Sequence, residues 1–289
     1  MNRTYKVTGI ILKATPLGES DRLLTILTQE LGLIRVAAPG ARKSRSRLGG
    51  RIGLFVVNQF LIAKGRSLDK ITQADIVNSH SGLSKNLGKL AAGQYLAELV
   101  LSQALSEQPQ AELFLLLEEH LSRLEQLPNL PTPENAIAIV ACLTHGIFHL
   151  LALAGIAPQV QLCCITQHPL IPNFADPNWV AGFSIDSGGI VNLAGLAATS
   201  GNRTSSRVAE GTGRYLTDTV PVRIDARLAA DRLAILQQLA EPDLRNVWGA
   251  HHSEAWIAVE RLLRRYAEYH FARSIRSASL IDTYLAASG

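Results

Sequence analysis

A chain of 289 residues, 47% of them hydrophobic, is long enough for one to three domains with a sizeable core, and wholesale disorder is excluded. The formal net charge of +4 hides an asymmetry: residues 1–80 carry thirteen Lys/Arg against five Asp/Glu, residues 81–160 three against seven, and the remainder twelve of each. A positive field concentrated at one end attracts polyanions and speeds their encounter.

Residues 1–80 read as strands. Near-period-2 alternation with β-branched residues predicts strands over 5–14, 21–28, 33–38, 54–63 and 70–77, and Gly18, Gly32, Gly40, Gly49, Gly50 and Gly65 punctuate the gaps. Five short strands in a segment of this length fit a small closed barrel, and the OB-fold, which usually binds nucleic acid, is the common solution. Between the third and fourth strands runs Ala41-Arg-Lys-Ser-Arg-Ser-Arg-Leu48, and no acidic residue occurs from Leu31 to Leu68. Guanidinium forks on a loop suit an irregular phosphate backbone, and serine hydroxyls add donors. The candidate DNA-binding residues are therefore Arg35, Arg42, Lys43, Ser44, Arg45, Arg47, Arg51, Lys64 and Arg66. The plain alternative is a solvated charge run. Phe55 and Phe60 are the aromatic candidates for base stacking, but strand aromatics are more often core, so the pattern leans towards backbone contacts without sequence preference.

Helical spacing begins near residue 81. Leu83, Leu87, Leu90, Tyr95, Leu96, Leu99 and Val100 mark one helix, residues 112–127 a second and an apolar segment from Glu134 a third, so residues 81–156 are expected to form a helical bundle. No Asp, Glu, Lys or Arg occurs from Asn135 to Ala175, and Ala136 to Ala157 has the length of a membrane span. Basic anchors are missing from its flanks, and Thr144, His145 and His149 interrupt it, so a buried core helix and no membrane are expected. Residues 157–205, with Pro158, Pro169, Pro172, Pro177 and Gly188-Gly189, predict an irregular excursion with a short hairpin. Helices are expected again over 206–289, ending in a long one over 253–275. On it Arg261, Arg264 and Arg265 share a face, a candidate second basic surface for DNA or an acidic peptide, with a merely solvated face as the alternative.

Other constellations are weak. Cys142, Cys163 and Cys164 make no disulfide framework and fit a reducing, cytoplasmic setting, and no signal peptide is evident. Cys142, His145 and His149 fall on one helical face, but core histidines are commoner than ligands, and no metal or other cofactor is expected. A G-x-x-x-x-G-K-[ST] loop is missing, and so is the H-x-E…P-C-x-x-C deaminase pattern; no enzyme is expected.

Three stretches carry a family resemblance: Gly9-Ile-Ile-Leu-Lys-Ala-Thr-Pro-Leu-Gly-Glu-Ser-Asp-Arg-Leu-Leu-Thr25, Thr28-Gln-Glu-Leu-Gly-Leu-Ile34 and Pro39-Gly-Ala-Arg-Lys-Ser-Arg-Ser-Arg-Leu48. In order and content the region resembles the N-terminal domain of the bacterial RecO recombination mediators, and Gly155-Ile-Ala-Pro158, Cys163, Phe183-Ser184 and Gly188-Gly189 fall where that family carries similar elements. The resemblance implies an α+β multidomain chain: an OB-fold barrel over 1–80, then a mostly helical domain over 81–156 and 206–289 with an inserted, degenerate zinc-ribbon-like segment over 157–205. The segment is degenerate because one of the four expected cysteines remains, Cys163, with Thr166, Asn192 and Gly195 at the other places. It also implies binding and annealing of single- and double-stranded DNA near the nucleoid, and work with RecR and the C-terminal tail of single-strand-binding protein to load RecA. A different reading of the residues is an RNA-binding OB module with a protein-docking helical domain.

Overall fold

The computed structural model describes residues 4–44, 46, 48–128, 130–131, 133–194, 222–244 and 253–288. Arg45 and Arg47 lie outside the described residues, as does much of the expected excursion end, 195–205. Strands β1 (Thr4–Leu17), β2 (Asp21–Thr28), β3 (Gly32–Ala38), β4 (Val56–Ala63) and β5 (Asp69–Ser79) close a barrel in the order β1-β2-β3-β5-β4. This is the strand count and closure expected of an OB-like domain.

Alternation builds this barrel. Ile11, Leu24, Ile26, Val36, Phe60 and Ile62 point inward and form its core. Strand β1 serves two partners: Thr4–Ile10 pair with β4, and Gly9–Leu17 pair with β2. A bulge between Ile11 and Lys13 shifts the register on the β2 side, which bends the strand around the closure. Ile10, Leu12, Leu27 and Val57, with Phe55 from the preceding loop, belong to a second core that continues into the helices.

Helices α1 (Leu87–Gln103), α2 (Ala111–Gln126) and α3 (Glu134–Leu153) follow. Asn86 caps α1 by accepting from the Lys89 amide. Helix α3 is long and apolar enough to cross a membrane, yet 83% of its most apolar stretch is buried. It packs against α1, α2 and a later helix, α5 (Ser253–His270), and forms the axis of the body. The seam with the barrel is tight: the Leu33 amide donates to the Leu105 carbonyl (2.8 Å) and the Gln110 amide to the Gln29 carbonyl (3.0 Å). Gly32, at φ 63°, is required there, because a Cβ would lie 2.1 Å from the Leu105 oxygen.

The excursion holds a hairpin, β6 (Ala181–Ser184) and β7 (Gly189–Val191), and a third strand, β8 (Ala226–Leu228), adds to β6. Gln159 pairs with the Gly188-Gly189 turn so closely that a Cβ on Gly189 would lie 2.2 Å from its carbonyl oxygen. Helix α4 (Ala230–Gln238) precedes α5, and α6 (Ala278–Ser288) closes the chain. The single long helix expected over 253–275 is corrected here. It stops at His270, Ala272 takes a left-handed φ of 49°, and carboxylates capture the following amides. Glu268 accepts from Ile275, and Glu98 accepts from Arg276 and Ser277. Arg273 and Arg276 therefore sit on a link and not on α5.

Candidate nucleic-acid interface

The loop between β3 and β4 is a chain of tight turns laid across one mouth of the barrel. The amides of Ala41, Lys43, Ser46 and Arg51 donate to the carbonyls of Ala38, Gly40, Lys43 and Leu48. Its apolar members anchor it, Ala41 and Ile52 being buried in the barrel core with Leu48 packed against them. The polar members between them are left outside: Arg42, Lys43 and Ser44 are exposed. Ser46 accepts from the Leu48 and Gly49 amides through Oγ. Buried Asn58 holds the far end by donating to the Arg51 carbonyl.

Three loops meet at this rim. The Arg42 amide donates to the Ser20 carbonyl, and its Nη1 donates to the Gly18 carbonyl at 3.0 Å, tying the loop to the β1–β2 turn. Strand β5 begins beside the end of β3, with Ala37 opposite Lys70, which brings the β4–β5 loop and its exposed Lys64 and Arg66 to the same side. Asp21 is the acidic member of the cluster. Its Oδ1 accepts from the Gly40 amide and Ser20 hydroxyl, at 2.8 Å each. The Gly40 bond, then the Ser20 bond and the Lys43 and Lys70 charges, hold its carboxyl below the usual range. Asp21 thus fastens the loop root.

On the barrel wall, Lys13, Thr25 and Arg35 are cross-strand neighbours in one row of β1, β2 and β3. Lys13 and Arg35 are exposed at its two ends. Arg51 is half exposed and also engaged within the barrel: its Nη1 donates to the Ala74 carbonyl at 2.8 Å and pairs with Asp75 at 3.3 Å, which braces the loop against β5. Lys13 and Lys70 were not among the sequence candidates. The signal for both was present, since each is a cation at the outward position of an alternating strand.

Arg264 departs from the expected second face. Its guanidinium binds Glu260 (2.8 Å) and Asp282 (2.7 Å), and its side chain is 15% exposed. Despite desolvation, its bonds to Asp282 and Glu260 hold Arg264 more firmly protonated than usual. It belongs to an ion-pair triad in which Glu260 is buried and Asp282 reaches solvent, while Arg261 and Arg265 on the same helix are exposed.

A structural zinc does not fit. The Cys163 sulfur accepts from the amides of Thr166 (3.4 Å) and Asn192 (3.2 Å), the very positions where thiolate ligands would stand. One thiol with a hydroxyl and a carboxamide is no closed set of nitrogen and sulfur donors. The other histidine–cysteine constellation is also otherwise engaged. Arg123 Nη1 donates to His145 Nδ1 (3.2 Å), which leaves that ring neutral with Nε2–H donating to the Glu241 carbonyl (2.9 Å). His149 donates to the same carbonyl (3.3 Å) and accepts from His120 (3.2 Å). Burial first, then the neighbouring histidines, pushes His120 down to about 2; burial pushes His145 down to about 4 and the Cys142 thiol up to about 12. Among the described residues, no group of three or more His, Cys, Asp or Glu side chains is placed to hold a metal ion.

A small barrel whose cationic loops gather at one rim, joined to a helical body, defines a nucleic-acid-binding protein. Comparison with known proteins narrows the class. Two family models match, "Recombination protein O N terminal" over residues 1–80 and "Recombination protein O C terminal" over residues 84–279. The chain is 56% identical over 297 residues to the DNA repair protein RecO of Nostoc sp. (strain PCC 7120), covering 100% of this chain and 98% of the relative. It is 52% identical over 304 residues to that of Nostoc punctiforme, with 100% and 98% covered. With that of Trichodesmium erythraeum the figure is 54% over 286 residues, with 99% and 96% covered. The chain belongs to the RecO family, whose field is DNA repair and recombination and which binds DNA.

Proposed function

We propose that this chain is a recombination mediator that works by binding rather than by chemistry. The barrel rim holds the sugar–phosphate backbones of single- and double-stranded DNA without reading sequence and brings complementary strands together. RecR and the tail of single-strand-binding protein are its partners in loading RecA, in the cytoplasm at the nucleoid. One observation carries the reading: Arg42, Lys43, Lys64, Arg66 and Lys70 converge from separate loops and strands on one side of the barrel, with Arg35 and Lys13 along the adjoining wall and Asp21 fastened into the loop root. Arg45 and Arg47 belong to the same loop by sequence. Arg51 contributes by bracing that loop against β5.

Backbone binding releases counterions, so affinity should fall steeply with salt and vary little among unrelated sequences. Replacing Arg42, Lys43, Arg45 and Arg47 together with alanine should weaken binding on every sequence. The slope of log affinity against log salt should flatten by about 3 on single strands, at roughly 0.7 per lost contact. Fluorescence anisotropy across a salt series measures this. An unchanged slope removes the loop from the interface, and a clear preference for RNA of the same sequence favours the RNA-binding alternative.

A further inference from the structure

A groove of about 550 Å³ lies on the helical body, away from the strands of the barrel. Arg227 of β8, Arg232 of α4 and Arg261, Arg264 and Arg265 of α5 line it, and among the described residues Asp282 of α6 is the only acidic one in the lining. Asp282 is already committed to Arg264, at 2.7 and 3.1 Å. The other four arginines join no ion pair among the described residues. Arg227, Arg261 and Arg265 are exposed and Arg232 is half-buried. Like charges converging without a partner repel one another, and an anion in the groove relieves that repulsion. Three different elements contribute, so the convergence is a property of the fold and not of one charged helix face.

The lining sets what an anion would meet in the groove. Leu228 and Leu262 lie beneath the guanidinium groups, but they are 3% and 2% exposed because their side chains serve the protein core. The groove surface is therefore mixed, with Ala226 and Ala258 between the arginines. An acidic peptide is the competing occupant, and displacement by DNA separates the two. A sugar–phosphate chain needs only guanidinium forks, which bind phosphate oxygens with two parallel hydrogen bonds.

Together with the barrel rim, the groove gives one chain two polyanion sites that share no element. We infer that the groove holds the phosphate backbone of a second DNA strand while the rim holds the first. The inference rests on the proposed function and extends it: annealing requires two strands on one protein, and the groove supplies the second seat.

The test uses the full chain and two non-complementary labelled oligonucleotides. The protein is loaded with one equivalent of the first, and capture of the second is followed by energy transfer between the labels. Annealing of a complementary pair is timed in parallel. In the variant Arg227→Gln, Arg232→Gln, Arg261→Gln, Arg265→Gln, Arg264 is kept so that Glu260 retains its partner. First-strand affinity should stay within about twofold of the parent, while second-strand capture and annealing each fall at least about tenfold, the cost of roughly one charge-assisted contact at the weakest. If the fourfold variant fails to fold, the exposed pair Arg261→Gln, Arg265→Gln carries the same expectation with a loss of about threefold. Parental second-strand capture by a folded variant overturns the inference. So does saturation of the groove by a carboxylate-rich peptide that second-strand DNA cannot displace. The rim variant with Arg42, Lys43, Arg45 and Arg47 replaced reports separately. If it binds the first strand as the parent does, the proposed function fails at the rim, whatever the groove variant shows.

Discussion

Two arginines one position apart on α5 have opposite roles, and the contrast shows how little residue type alone decides. Arg264 faces inward, to Glu260, which is 1% exposed, and to Asp282. Arg265 faces the groove and is exposed. Burial pushes the Glu260 carboxyl up, and its bonds to Arg264 pull it back. Replacing Arg264 with alanine leaves a buried carboxylate without its cation, and such losses cost about 3 kcal/mol or more. Replacing Arg265 should change stability by less than about 0.5 kcal/mol. Urea unfolding of the two variants measures the difference, and equal stabilities would contradict the triad. Glu260, four residues before Arg264, was a legible signal, since Arg261 and Arg265 have no acid at that spacing; the second acid, Asp282, arrives from α6, eighteen residues away, and was not legible. The partners of Arg51 were not legible either, because they lie on β5 and are distant in sequence.

Among the elements, the strands were legible because each answers to a period-2 pattern and to glycines at its ends. The expected spans 21–28 and 33–38 lie on β2 and β3 to within a residue. The bulge in β1 was not legible, since it depends on the register against β2 and not on any residue of its own. The long C-terminal helix was overextended because its stop comes from the carboxylates of Glu268 and Glu98, one of them on α1. His145 and His149 of α3 were read as core residues, but their link to His120 of α2 was not legible. His120, His145 and His149 join α2 and α3 to the Glu241 carbonyl beyond α4, and all three are neutral when folded. Their folded pKa values lie below the unfolded value near 6.5. Below that pH the unfolded chain takes up protons that the folded cluster refuses, so this contribution to stability is full above pH 6.5 and is lost as pH falls, towards about 4 for His145 and about 2 for His120. The urea midpoint should therefore drop between pH 7 and pH 5. The drop should shrink in His145→Gln and His149→Gln, which retain an amide donor for the carbonyl. An equal drop in parent and variants would assign the acid sensitivity elsewhere.

For the molecule as a whole, barrel and body share one apolar core. Ile10, Leu12, Leu27, Phe55 and Val57 from residues 1–80 pack in the same cluster as α1, α2 and α3. The chain should unfold in a single transition by circular dichroism and by tryptophan fluorescence, since Trp256 lies in that cluster too. A fragment of residues 1–80 would expose this patch, so it should be poorly soluble and melt well below the full chain. Two separated transitions would show the halves to be independent. Helix α3 carries a last consequence. Its widest packing is against α5, whose first residue, Ser253, is made a hundred residues after the end of α3. During synthesis at roughly 5–20 residues per second, the greasiest segment of the chain emerges from the ribosome several seconds before its lid. Slower synthesis lengthens that exposure, and a message truncated before Ser253 should yield an aggregate rather than a half-functional binder, as sedimentation of the truncated product would show.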